Sequence, residues 1–287
     1  MTLTELPPLQ VSDRFRPLGR QLLSLLESLD DEAWHAPTVC SSWTVRDLVA
    51  HLVDTGYRRL STARDGMRPP PPATPIESYA DLLSLLDTLN REWVDAARRL
   101  SPRIVLELIR DQEPRFCDWV ETADLDGDWA FPVAWAGDER PEPWFDIARE
   151  LTERWLHQQQ IRLAVGAPAL DDPWTSRPIF DTFAHALPHT YRAVDAAEGR
   201  RLELRIEGRE LYAYRLLRGQ GTWHLGLGET TPWASADARV VMPERFAWRL
   251  FTSRRVGREA AENEPAVRVE GDERLAAPLF DSIAVMA

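Results

Sequence analysis

Trp43-Thr44-Val45-Arg46-Asp47-Leu48-Val49-Ala50-His51-Leu52 reads as a capped helix that carries a histidine. Thr44 and Asp47 stand at the spacing of a capping box, in which each side chain takes a backbone N–H at the helix start. The predicted helix runs to about Met67. About a hundred residues later, Glu153-Arg154-Trp155-Leu156-His157 reads as a second helix. A four-residue spacing puts Glu153 and His157 on one face, one turn apart. If the two helices are neighbours, they offer two imidazoles and a carboxylate. Such a set suits a borderline divalent metal and leaves positions for water or substrate.

The surrounding sequence supplies more helices. Phe15, Leu18, Leu22, Leu25, Leu26 and Leu29 recur at helical spacing over residues 12–29. The prolines from Pro69 to Pro72 end the His51 helix in an exposed connection. A third helix is predicted from about Pro75 to Arg99, with a break at Ser101-Pro102. Residues 112–143, rich in Asp, Gly, Pro and Trp, read as a long loop or small hairpin. A fourth helix runs from about Pro143 to Val165, stopped by Gly166 and Pro168. Four helices with a long loop predict an α-helical bundle, and bundles build metal sites from inward-facing side chains.

Composition changes from Ala167 to Pro178, so the expected domains are 1–168 and 178–287. In the second, a helix is expected near 179–197. Arg201 to Glu207 alternates apolar and polar residues as a half-buried strand does. Gly208-Arg209-Glu210 turns it into Leu211 to Leu217, and further strands are expected at 222–227, 237–242 and 266–270. Helices at about 243–254 and 272–285 complete an α+β module.

Composition narrows the function classes. The formal net charge is −12, which opposes general binding to nucleic acid or anionic membranes, although a patch such as Arg254-Arg255 can hold one small anion. No apolar run approaches the roughly 20 residues that span a bilayer. The first residues, Met1 to Pro8, lack the basic start and apolar stretch of a signal peptide. Only Cys40 and Cys117 are present, too few for a disulfide framework, and reduced thiols in a cytoplasmic protein are expected.

Trp43 to Leu52 resembles the second-helix signature of the DinB-like superfamily. More narrowly, the chain is similar to the mycothiol-dependent maleylpyruvate isomerase family, whose pattern Trp34, Pro37, Thr38 and Cys40 also fit. Glu153 to His157, ending at Gly166, resembles that family's second metal motif. The resemblance implies His51, Glu153 and His157 as metal ligands. It also implies an N-terminal DinB-like four-helix bundle followed by a smaller sterol-carrier-like α+β domain. In the latter, Arg249 to Arg254 and Val269-Glu270-Gly271-Asp272 fit a recurrent pattern. Two departures stand out. Gln160 occupies a position where the family usually has Asp, and a neutral amide orients a ligand less strongly than a carboxylate. The usual Gly-Arg appears as Ser253-Arg254, and the resemblance makes Arg254 a candidate for binding a substrate carboxylate.

The leading expectation is a metal-dependent enzyme that uses a low-molecular-weight thiol for isomerisation or S-transfer on a small electrophile. Zinc is the favoured metal, with nickel, manganese and iron as alternatives, and the thiol is mycothiol or a similar molecule such as bacillithiol. Hydrolysis by a metal-bound water is a second reading. A non-catalytic binding protein with an apolar ligand in its second domain is a third. Each residue also has a plain role: a lone helical histidine is more often hydrogen-bonded core, and a Glu–His pair at four-residue spacing is usually a surface ion pair worth about 0.3–0.5 kcal/mol. Asp146 and Glu150 read as a solvated acidic face near a helix N-terminus. His35, His185, His189 and His224 have no ligand spacing with the three. Trp43, Trp119, Trp129, Trp135 and Trp144 read as pocket walls or, more simply, packing. Both monomer and homodimer fit the sequence.

Overall fold

The structure, a computed structural model, describes residues 3–40, 42–72, 74–138, 140–253 and 257–284. It divides into two compact units. One is Gln10–Pro132 with Arg140–Leu170, and the other holds the described residues of Met1–Leu9, Val133–Glu139 and Asp171–Ala287. This division interrupts the expected span 1–168 twice. Thr4 pairs with Leu227 and joins the first residues to the second unit, and residues 133–138 belong there too.

The helical unit contains α1 (Ser12–Glu27), the short α2 (Asp31–Trp34), α3 (Val45–Arg59), α4 (Tyr79–Ala97), α5 (Pro102–Thr122) and α6 (Pro143–Ala164). Thr44 caps α3 as its sequence indicates: Asp47 N–H donates to the Thr44 hydroxyl, and Thr44 N–H donates to the Asp47 carboxylate at 3.1 Å. Arg59 is followed by one π-helical turn, Leu60–Arg64.

The sequence reading misses α5. Ser101-Pro102 is a start rather than a break, because Ser101 caps the helix and Pro102 occupies its first turn, where its missing N–H costs nothing. Val105, Ile109, Phe116 and Val120 form its buried stripe. α1, α3, α5 and α6 pack on one another, and α4 lies against α3. Among the residues of α4, only Val94 and Ala97 are buried. The bundle's fourth member is thus α5, and the expected third helix is its outer companion. The core where α3 and α5 meet is built from Val45, Leu48, Val49, Leu52, Val105 and Ile109. α6 is buried nearly all round and carries acidic, basic and amide side chains into the interior. Apolar burial cannot explain those groups, and each needs a partner.

The second unit has a five-stranded sheet in the order β3-β2-β1-β4-β5, with β1 (Arg201–Glu207), β2 (Leu211–Gly219), β3 (Thr222–Leu227), β4 (Ala238–Pro243) and β5 (Arg268–Gly271). Each strand starts and ends within two residues of its expected position. β1 runs parallel to β4 and antiparallel to β2. One face is apolar: Leu202, Leu204 and Ile206 stand in register with Leu216, Tyr214 and Tyr212. The helices α7 (Pro173–Ala184), α8 (Ala186–Tyr191), α9 (Glu244–Thr252), α10 (Arg258–Glu262) and α11 (Glu273–Ala276) belong to this unit, and Phe180 of α7 stacks on Tyr212 at 5.0 Å. The expected helix at 179–197 is therefore two shorter ones, and α10 was not foreseen. The other sheet face holds the Glu203 carboxylate among Arg205, Arg215 and Arg239. No helix is long and apolar enough to cross a membrane among the described residues.

Glu244 opens α9 against Gly208, where an added Cβ would sit 2.0 Å from its carboxylate oxygen. Burial pushes its carboxyl up to about 7, against the opposing hydrogen bond from Ser176. A folded-state value above the unfolded one, 4.5, makes its contribution fully present below the unfolded value and lost as pH rises through about 7. Glu244→Gln is therefore expected to raise the melting temperature more at about pH 8 than at about pH 5, as thermal melts at the two pH values would record.

Candidate metal centre

α3 and α6 pack side by side and bring His51 to Glu153 and His157. One ligand atom from each of the three lies within 4.8 Å of the others. The two imidazoles meet edge to face with ring centroids 4.8 Å apart. His157 Nε2 is 3.4 Å from Glu153 Oε2. Both histidines are buried, at 5% and 6% exposure, while Glu153 keeps partial access to solvent. Among the described residues this is the one group of at least three His, Cys, Asp or Glu side chains that converges in this way.

The hydrogen bonding of the three is incomplete without a cation. His157 Nδ1 pairs with Gln160 Oε1 at 2.8 Å, which leaves Nε2 for the site. His51 Nδ1 is buried and has no hydrogen-bond partner among the described residues. A buried polar atom left in that state is costly unless something fills its position. Burial, with help from His157 and Arg58, pushes the His51 imidazole down to about 3, so it is a free base at neutral pH. Burial alone would raise the Glu153 carboxyl, but His157 and Arg149 outweigh it and hold the group below the usual carboxylate range. Two imidazoles, that of His51 a free base, and one carboxylate therefore face a common point, and this donor set fits zinc or a similar divalent metal.

The surroundings are charged and aromatic. Trp43 packs on His51 with ring centroids 5.1 Å apart. Arg58, two turns beyond His51 on α3, bonds Asp54 at 2.9 Å and Asn90 of α4 at 3.2 Å. Arg149, one turn before Glu153, bonds Asp146 at 2.8 Å and Glu150 at 2.6 Å. Asp146 also meets Arg59, whose guanidinium lies under Phe131, Trp129 and Trp119. The expectation that Asp146 and Glu150 form a solvated face is thus corrected: both are buried, because Arg59 and Arg149 neutralise them inside the bundle. Sequence reasoning did not single out Arg58, Arg59 or Arg149. Their helical spacing from His51 and Glu153 is the signal that points to them.

The remaining candidates lie elsewhere. Arg254 falls outside the described residues. Cys40 and Cys117 form no disulfide, and burial pushes the Cys117 thiol up to about 11, the opposite of nucleophile activation. Trp135 packs in the second unit.

A crystal structure of the mycothiol-dependent maleylpyruvate isomerase, and another of a histidine-to-alanine mutant of it, resemble this chain at TM-score 0.54 and 16% identity. Each match covers 92% of this chain and 93% of the other. Identity at that level indicates a shared fold. No curated protein matches the sequence. Residues 15–162, just over half of the chain, match the family described as the mycothiol maleylpyruvate isomerase N-terminal domain. By that match the chain belongs to the mycothiol maleylpyruvate isomerase family.

Proposed function

We propose that this protein is a metal-dependent enzyme that uses a low-molecular-weight thiol of the mycothiol type for isomerisation or S-transfer on a small electrophilic substrate. Family membership supports an isomerase-type enzyme. The observation that carries the metal dependence is the convergence of His51, Glu153 and His157 on one buried point. In this reading the helical unit is a DinB-like four-helix bundle and the second unit a sterol-carrier-like α+β domain.

His51 and His157 present imidazole nitrogens, and Glu153 supplies the single negative charge that offsets part of the cation's. When bound, a divalent metal lowers the pKa of a thiol or water that it holds and polarises a carbonyl oxygen. The protein supplies position and field. Trp43 walls one side of the site, and Arg149 helps to hold Glu153 as a carboxylate. A thiolate adds to the electron-poor carbon of a cis-alkene conjugated to a carbonyl, and the electron pair moves to the carbonyl oxygen. The former double bond is then single and rotates. Return of the electron pair expels the thiolate and leaves the trans-alkene, so thiol is not consumed. Capture of a proton instead of expulsion leaves an S-conjugate.

The reading predicts that turnover of maleylpyruvate or another electron-poor cis-alkene needs both added mycothiol and a loaded metal. Dialysis against chelator should abolish it, and zinc should restore it. An unchanged rate without thiol would point to hydrolysis by bound water instead.

A further inference from the structure

Gln160 stands one turn beyond His157 on α6, and its Oε1 lies 2.8 Å from His157 Nδ1, with both side chains buried. An amide oxygen only accepts, so Nδ1 carries the hydrogen, and in the neutral ring that leaves the lone pair on Nε2. Nε2 is the nitrogen that lies 3.4 Å from Glu153 Oε2. The contact with Gln160 therefore turns a lone pair toward the carboxylate and toward His51. Two acceptors at that separation repel unless a cation or a proton lies between them. The reverse orientation of the amide would place an N–H on Nε2, satisfy Glu153 directly and close the position to a metal.

We infer that Gln160 is a positioning residue that fixes Nε2 as the ligating atom of His157 and, being neutral, leaves the loaded site one unit positive, so that it selects an anionic further ligand. The inference rests on the metal reading above. The charge follows from the donors: a divalent cation, two neutral imidazoles and one carboxylate. A carboxylate at position 160 would cancel the remainder and raise the basicity of His157. The neutral amide does neither, and the substrate class that fits is a thiolate or a carboxylate rather than a neutral carbonyl compound. Arg58 and Arg149 nearby are paired with Asp54 and with Asp146 and Glu150, so the charge at the ion is set by its own donors.

Zinc affinity measured by chelator competition for wild type, Gln160→Glu and Gln160→Leu tests this, with circular dichroism melts to verify the fold. Gln160→Leu is expected to weaken zinc binding by about 10–100-fold, and Gln160→Glu to tighten it by roughly 10-fold. Should the leucine variant not fold, Gln160→Met replaces it in the comparison. Thiocyanate binding to the cobalt-substituted protein, read from its visible bands, is expected to weaken several-fold in Gln160→Glu. Long-range proton–nitrogen spectra of the zinc-loaded wild type should show His157 ligated through Nε2 with hydrogen on Nδ1. Ligation through Nδ1, or zinc affinities within about twofold across the set, overturns the inference and leaves the metal reading standing. A wild type that takes no zinc removes the metal reading, and this inference with it.

Discussion

Replacing His157 with alanine is expected to abolish stable metal retention while the helical bundle stays folded. The imidazole is one of three donors, and its loss leaves two, His51 and Glu153, on different helices. Losing only an outer hydrogen-bond partner of a metal ligand weakens binding by about 10–100-fold, so losing the ligand itself should exceed that range. Folding should survive because the apolar packing of α6 is carried by neighbours such as Trp155, Leu156 and Ile161, all fully buried. His51→Ala should behave alike. Glu153→Gln is a more delicate variant, since it keeps the shape and removes the only negative charge of the donor set. Competition with a coloured chelator and a thermal melt of each variant check the two halves of the claim. Retained zinc in His157→Ala at wild-type affinity would show that the histidine is not a ligand. Thiol-dependent turnover should fall with metal occupancy in all three variants and return in none on adding zinc at stoichiometric concentration.

The largest effect on stability is expected at Glu203. Its carboxylate is fully buried on the polar face of the sheet, 2.7 Å from Arg239 Nε and within 3.5 and 3.7 Å of Arg205 and Arg215. Both of its oxygens also accept from Trp233 N–H at 3.0 Å, which ties the segment after β3 down onto the sheet. Arg205 extends the tie by donating to the carbonyls of Glu229 and Thr230. Among the described residues, removing this buried carboxylate leaves Arg205 with backbone carbonyls alone, and leaves Arg215 and Arg239 with only the exposed carboxylates of Glu229 and Glu270 as acidic partners. Breaking a buried ion pair by deleting one partner typically costs about 3–5 kcal/mol. Glu203→Leu should therefore lower the melting temperature of the second unit by roughly 10 °C. Glu203→Gln keeps the acceptor for Trp233 and loses only the charge, so its loss should be smaller. A denaturant midpoint for either variant that matches wild type would mean that Glu229, Glu270 and the backbone carbonyls are enough to hold the arginines.

The site's skeleton was legible because its signals are local. A capping pair followed by a histidine at Thr44, Asp47 and His51 needs only helix geometry, and so does the four-residue step from Glu153 to His157. The sheet was legible for the same reason, since alternation over Arg201–Glu207 is a property of one strand. What failed was partner identity. Ser101-Pro102 stops one helix and starts the next, and the stop hid α5 although Val105, Ile109, Phe116 and Val120 mark its buried stripe. Asp146 and Glu150 looked solvated because acidic side chains near a helix start usually are. Their burial depends on Arg59, which arrives from α3, a distant stretch of the sequence. Which of the His157 nitrogens is free likewise depends on where the Gln160 amide points, and that is a matter of packing rather than of pattern.

The most direct test of the central claim is an anomalous difference map from crystals grown with zinc, measured on both sides of the zinc absorption edge. The account predicts one strong peak per chain, bonded to His51, Glu153 Oε and His157 Nε2 at about 2.0–2.2 Å. A map without a peak there, in crystals where the three side chains hydrogen-bond only to one another or to water, would contradict it.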